Sequence, residues 1–126
     1  MSDFKQLKVW RKSHALALNV HRVTTRSRGR DSIGLRSQML RAAMSIPANI
    51  VEGTGHRSRR EFVRFLRIAT GSASELEYHL IVARDCGVLS TSDFISLCDQ
   101  TIEVRKMLFG LSRRMEEIAT TRKVTE

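Results

Sequence analysis

The chain has one proline, seven glycines and two cysteines among its 126 residues, and only 6% of them are aromatic. With few turn formers, and with Leu, Ala, Arg, Ser and Met recurring, the composition favours helices over sheets. No apolar run approaches the roughly 18 residues of a membrane-spanning helix, which excludes one. The opening residues 1–6 lack the apolar stretch of a signal peptide. Cys86 and Cys98 have no framework spacing and form no Cys-x-x-Cys pair, so both are expected as free thiols in a reducing cytoplasm. P-loop and dinucleotide fingerprints are absent, and no internal repeat is evident. The length and a hydrophobic fraction of 41% suit a single domain.

What the chain has in excess is positive charge, +9 overall. Residues 1–60 hold 13 Lys or Arg against 3 Asp or Glu, whereas residues 61–126 hold 9 against 10. A basic half joined to a near-neutral half can attract phosphate backbones. It is equally compatible with solubility and with an oligomer that pairs unlike surfaces. The basic residues cluster in two groups, Arg26, Arg28 and Arg30 in one connection and Arg57, Arg59 and Arg60 in the next. Arginines at a helix N-terminus oppose the helix dipole, so Arg59 and Arg60 gain nothing from that position. Zinc-finger spacing is absent, as are the aromatic-rich strands of an RRM or OB surface. Any RNA or DNA contact is therefore expected to be shape-driven and salt-sensitive.

Apolar periodicity predicts four helices. The first covers residues 4–25, capped by Asp3 or Ser2, with Leu7, Trp10, His14, Ala17 or Leu18, and His21 in one stripe. Val9, Leu16, Val20 and Val23 form the neighbouring stripe. The second runs from Asp31 or Ser32 to about Glu52, and Pro47 inside it leads to an expected kink or short interruption near residues 43–47. The third begins at Ser58, where Glu61 gives capping-box spacing, and closes at Gly87. Gly71 and Ser72 in its middle suggest close approach by a neighbouring helix. The fourth starts near residues 90–92. Phe94, Leu97, Thr101, Val104, Leu108, Leu111, Met115 and Ile118 follow heptad spacing along it. The expected architecture is all-α, an antiparallel up-and-down four-helix bundle over residues 1–118, with 119–126 a fraying tail.

The segment 37–53 is the most informative. Gln38, Arg41, Ser45, Asn49 and Glu52 descend one side of the second helix, on what reads as its inner face, and Glu75 and His79 lie one turn apart on the third. The row is expected to form an internal polar network of Gln38, Arg41, Asn49, Glu52 and Glu75 that fixes helix register, for example by pairing Arg41 with Glu75 or Glu52. A ligand groove is the other reading. Metal and cofactor sites are not expected. Glu75 and His79 have spacing four where a dimetal bundle uses Glu-x-x-His, and Glu103 stands alone off the seam. No nucleophile has a credible base and orienting group, so catalytic residues are not expected.

The ordered motifs resemble a known family. Phe4-x-x-Leu7-x-Val9-Trp10 resembles its N-terminal motif. Gly34-Leu35-x-Ser37-Gln38-x-x-Arg41-Ala42-Ala43-x-Ser45-Ile46-x-x-Asn49-Ile50-x-Glu52-Gly53 resembles its central signature. Phe62-x-x-Phe65-Leu66-x-Ile68-Ala69-x-Gly71-Ser72-x-x-Glu75-Leu76 resembles its third-helix signature. Over residues 4–115 the chain is similar to the bacterial four-helix bundles encoded in intervening sequences of 23S ribosomal RNA genes, the S23-like proteins. The resemblance implies a small antiparallel bundle that forms rings, with a homo-pentamer favoured. A related branch consists of basic accessory proteins to reverse transcriptases, which implies a nucleic-acid or protein-binding adaptor without catalytic residues. Many members carry an aromatic-proline pair and an acidic residue in the first connection, whereas this chain has Arg26-Ser27-Arg28-Gly29-Arg30-Asp31.

The expectation is thus a non-enzymatic cytoplasmic homo-oligomer without cofactor or membrane contact. It binds RNA, DNA or a nucleic-acid-handling protein through Arg26, Arg28, Arg30, Arg57, Arg59 and Arg60. The alternative is a protein-binding scaffold or self-assembling structural protein with no nucleic-acid contact, for which the Phe94–Ile118 seam could serve as a subunit interface.

Overall fold

A short 3-10 turn precedes the first α-helix, because Asp3 accepts from the Lys5 amide at 3.0 Å and Leu7 is extended. The computed structural model describes residues 3–26 and 32–125, with side chains through residue 118. The elements are the 3-10 turn Phe4–Gln6 and helices α1 (Lys8–Arg26), α2 (Ile33–Thr54), α3 (Arg59–Asp85) and α4 (Thr91–Thr125). Among the described residues there is no strand. The helices form an antiparallel up-and-down bundle in which each packs on two neighbours, in the cyclic order α1, α2, α3, α4.

Local chemistry sets most boundaries. Ser58 Oγ accepts from the Glu61 amide at 3.0 Å and starts α3. Ser90 Oγ accepts from the Asp93 amide at 3.1 Å and starts α4. Gly87 ends α3 with φ +74°. Its amide donates to the Arg84 carbonyl at 3.1 Å, and the Val88 amide donates to Ala83 at 2.8 Å. This is a Schellman closure, which needs a residue at ease in the left-handed region. Pro47 does not interrupt α2. It is buried inside a helix that is continuous from Ile33 to Thr54, so the expected short interruption is absent. The segment 119–125, expected as a tail, continues α4.

The core is one apolar cluster fed by all four helices, with Leu16, Met39, Ile46, Phe62, Leu76 and Leu108 fully buried. Each such side chain contributes about 1.5–3 kcal/mol by leaving water. The α4 seam is spent here. Leu97, Thr101, Val104 and Leu108 are buried within one chain, and Phe94, Leu111 and Met115 pack against the core. Of the seam only Ile118 is exposed, so the seam is not a subunit interface.

Of Gly71 and Ser72, where close approach by a neighbouring helix was expected, Ser72 meets Ser45 of α2 but Gly71 meets nothing, and the crowded glycine is Gly53. A Cβ at Gly53 would sit 2.9 Å from both Phe62 Cδ1 and Phe65 Cβ. Gly71 is exposed, and a Cβ there would meet nothing within 4 Å. The register of α4 is pinned on one side by Lys12–Glu103 (3.1 Å) and on the other by Arg105–Glu77 (3.2 Å) and the Arg67–Glu116 pair.

Candidate nucleic-acid interface

The up-and-down path separates the two arginine groups. Arg26 ends α1 and Arg57 follows the end of α2, so the whole of α2 lies between them. Its 22 residues span roughly 33 Å at 1.5 Å per residue. Within one chain Arg26 and the second group lie at opposite ends of the bundle. Arg28 and Arg30 lie outside the described residues. Arg26 is exposed and lies 3.6 Å from Asp93, a surface pair that adds about 0–1 kcal/mol and partly neutralises this end.

The second group sits on an anchored turn. The Gly55 amide donates to the Val51 and Glu52 carbonyls, and the His56 amide donates to Gly53. The His56 ring stacks on Phe65 at 5.1 Å. Arg57 and Arg60 are exposed, and Arg59 is half-buried. One terminal nitrogen of Arg59 is buried with no hydrogen-bond partner among the described residues. Arg64 joins the group one turn further on, lying 4.5 Å over the Phe65 ring and pairing with Glu61 at 3.2 Å. Four arginines thus fall within residues 57–64, around the start of α3. Arg64 was missed in the sequence, although its spacing of four from Arg60 signals it.

The polar row is not on the inner face of α2. That face belongs to Met39, Ala42, Ala43, Ile46 and Ile50, all buried. Gln38, Arg41 and Glu52 are exposed, and Ser45 and Asn49 are half-buried along the seam with α3. Asn49 Nδ2 donates to the Ser45 carbonyl at 2.7 Å and to Ser45 Oγ at 3.0 Å. Ser45 Oγ shares a hydrogen bond with Ser72 Oγ at 2.8 Å. Glu75 is exposed and lies 3.1 Å from His79 Nε2, with no ion pair to Arg41 among the described residues. The internal network expected of Gln38, Arg41, Asn49, Glu52 and Glu75 is therefore corrected to a short Asn49–Ser45–Ser72 chain flanked by solvated charges.

Between α1 and α2 lies an open groove of about 420 Å³ that the sequence reading did not single out. Its walls include Trp10, Ala17, Leu40 and Pro47, with Leu18 and Met44 at the rim. His14 and His21 lie on the same side, and the Trp10 and His14 rings stack at 4.9 Å. The first apolar stripe of α1 lines this groove, while Val9, Leu16, Val20 and Val23 supply the core. A polar cleft of about 200 Å³ between α1 and α4 is crossed by a 2.8 Å hydrogen bond from Asn19 to Gln100.

Among the described residues no group of three His, Cys, Asp or Glu side chains could hold a metal ion. Cys86 and Cys98 are free thiols, and burial, followed by the nearby Glu77 and Asp99 carboxylates, raises the Cys98 pKa. No described helix is long and apolar enough to cross a membrane.

Comparison with known proteins places these features. Residues 5–110 match the sequence model of a family described as 23S rRNA-intervening sequence protein. A crystal structure from Bacteroides thetaiotaomicron, described as a protein of unknown function from the S23 ribosomal protein family, superposes with a TM-score of 0.78. The two chains are 27% identical over 82% of this chain and 97% of that one. None of the curated proteins matches.

Proposed function

From the premise that the chain belongs to the 23S rRNA-intervening sequence protein family, we propose that it is a non-enzymatic, homo-oligomeric adaptor for nucleic acid or its handling machinery. The observation that carries this reading is that Arg57, Arg59, Arg60 and Arg64 all fall within residues 57–64, in the anchored turn before α3 and in its first turns. Cations gathered where the helix dipole disfavours them find compensation in an anionic partner. Arg26, with Arg28 and Arg30 next to it in sequence, forms the second basic group, and the family resemblance favours five copies. A ring would repeat each arginine end around its axis, and repeated weak contacts gain avidity.

The reading does not involve chemistry on the bound strand. Phosphate contacts position a polyanion without reading its bases, so affinity should be broad in sequence and steep in salt. The test is binding of the mass-calibrated oligomer to structured RNA, duplex DNA and single strands across a salt series. Binding that weakens steeply with salt supports the adaptor, and its preference names the target class. No binding at low salt would leave the protein-scaffold reading, which the apolar α1–α2 groove favours independently.

A further inference from the structure

We propose that the outer face of α4 pairs, antiparallel and about a two-fold axis at Ile102, with the same face of a second copy of this chain. The inference rests on the homo-oligomeric reading only in taking the occupant to be the chain itself. The face shares no residue with the arginine turn, so the two are tested separately.

Helix α4 packs against α1 and α3, and its remaining side is turned away from the bundle. Ile95, Ile102 and Phe109 follow one another on that side at intervals of seven. Seven residues fall about 20° short of two turns, so the three side chains make one line roughly 21 Å long. Ile95 is 53% and Phe109 57% exposed, and Ile102 between them is half-buried. This line is distinct from the buried seam of α4, which faces the core. Large apolar side chains aligned along the outside of a helix gain by burial against another helix.

The charges beside the line identify the occupant. Asp99 and Lys106 are exposed and flank Ile102, three residues before it and four after, on the same side of the line. Among the described residues neither takes part in an ion pair, whereas the other acids of α4 all do: Asp93 with Arg26, Glu103 with Lys12, Glu116 with Arg67 and Glu117 with Arg113. A two-fold axis at Ile102, perpendicular to both helices, reverses the second copy. It sets Ile102 against Ile102 and Ile95 of each copy opposite Phe109 of the other. It also sets Asp99 of each copy opposite Lys106 of the other, with an axial offset of about 1.5 Å. One face thus supplies both halves of an isologous contact. A parallel copy would set Asp99 against Asp99 and Lys106 against Lys106. A polyanion would meet the Asp99 carboxylate and three apolar side chains. A single helix pair is smaller than the roughly 1,200 Å² of a standard interface, so the pairing is weak and depends on concentration.

Sedimentation equilibrium of the full-length protein over a concentration series reads the pairing as mass. At the highest concentrations the native protein should approach twice the mass of Phe109→Glu, with the same helical circular dichroism in both. Asp99→Lys and Lys106→Asp each put like charges opposite one another and should weaken the association about tenfold or more. The double variant Asp99→Lys/Lys106→Asp should regain the native mass. An equimolar mixture of the two single variants should regain it too, because each altered charge then meets its opposite in the other copy. Equal mass for the native protein, Phe109→Glu and Asp99→Lys at every concentration would overturn the proposal. So would single variants that lose mass without recovery in the double variant and the mixture, because the antiparallel register would then be wrong. Arg57→Gln/Arg60→Gln leaves this face intact and should keep the native mass whatever it does to nucleic-acid binding, which separates this inference from the arginine-turn reading.

Discussion

Ser45 on α2 and Ser72 on α3 share a 2.8 Å hydrogen bond between their hydroxyls, and Asn49 donates to the Ser45 hydroxyl from one turn below. The contact sits about halfway along both helices, between two small side chains. It converts polar residues inside a helix seam from a desolvation cost into a register mark, because a slide of one turn would leave the hydroxyls facing apolar neighbours. The nearby charges Arg41 and Glu75 stay in water.

This chain of contacts predicts a coupling between the serines. Ser72→Ala and Ser45→Ala should each cost about 1 kcal/mol. The double variant should cost less than their sum, because the lost hydrogen bond is counted once. Urea unfolding of the four proteins checks it. Strict additivity would mean that the hydroxyls do not stabilise one another.

The two helix glycines should respond with opposite signs. Gly53→Ala drives a Cβ into Phe62 and Phe65 and should destabilise by about 1–3 kcal/mol. Gly71→Ala adds a methyl to open space on a helix and should stabilise by about 0.5–1 kcal/mol. Thermal unfolding reads both. A loss at Gly71 would show that its face meets another helix in the assembly.

Much of the fold was legible in the sequence, for identifiable reasons. The four helices followed from apolar periodicity, and the α3 start and end followed from Ser58 with Glu61 and from Gly87. Each of these is a local signal, complete within a few residues. What periodicity does not give is the neighbour that a face meets. The row Gln38–Glu52 has one side, and sequence spacing does not say whether that side turns inward or along a seam. Gly53 and Gly71 look alike as letters, and only the positions of Phe62 and Phe65 distinguish them. Pro47 stayed within a helix because neighbouring packing outweighed one missing donor. The separation of Arg26 from Arg57 was available all along, since any up-and-down bundle puts consecutive connections at opposite ends.

The cysteines should differ in reactivity. Cys86 is exposed, whereas burial and then the Glu77 and Asp99 carboxylates push the Cys98 thiol pKa up. The thiolate is the nucleophile, so iodoacetamide at mildly alkaline pH should label Cys86 first. Because the folded Cys98 pKa is raised, the thiol form is favoured in the folded state. Its contribution is complete below the unfolded thiol pKa and declines as pH rises through the window between the unfolded and folded values. Peptide mapping after timed alkylation checks the order, and faster labelling at Cys98 would contradict it.

The central claim is that the anchored turn at the start of α3 meets phosphate. The most direct measurement compares the salt dependence of duplex or structured-RNA binding for the native oligomer and for Arg57→Gln/Arg59→Gln/Arg60→Gln, at matched oligomer mass. Each lost phosphate contact should flatten the slope of log affinity against log salt by about 0.9 for duplex DNA. A variant that binds more weakly at low salt, with a slope shallower by about two to three, is the predicted result. An unchanged slope and affinity in the variant would contradict the account and move any binding to another surface.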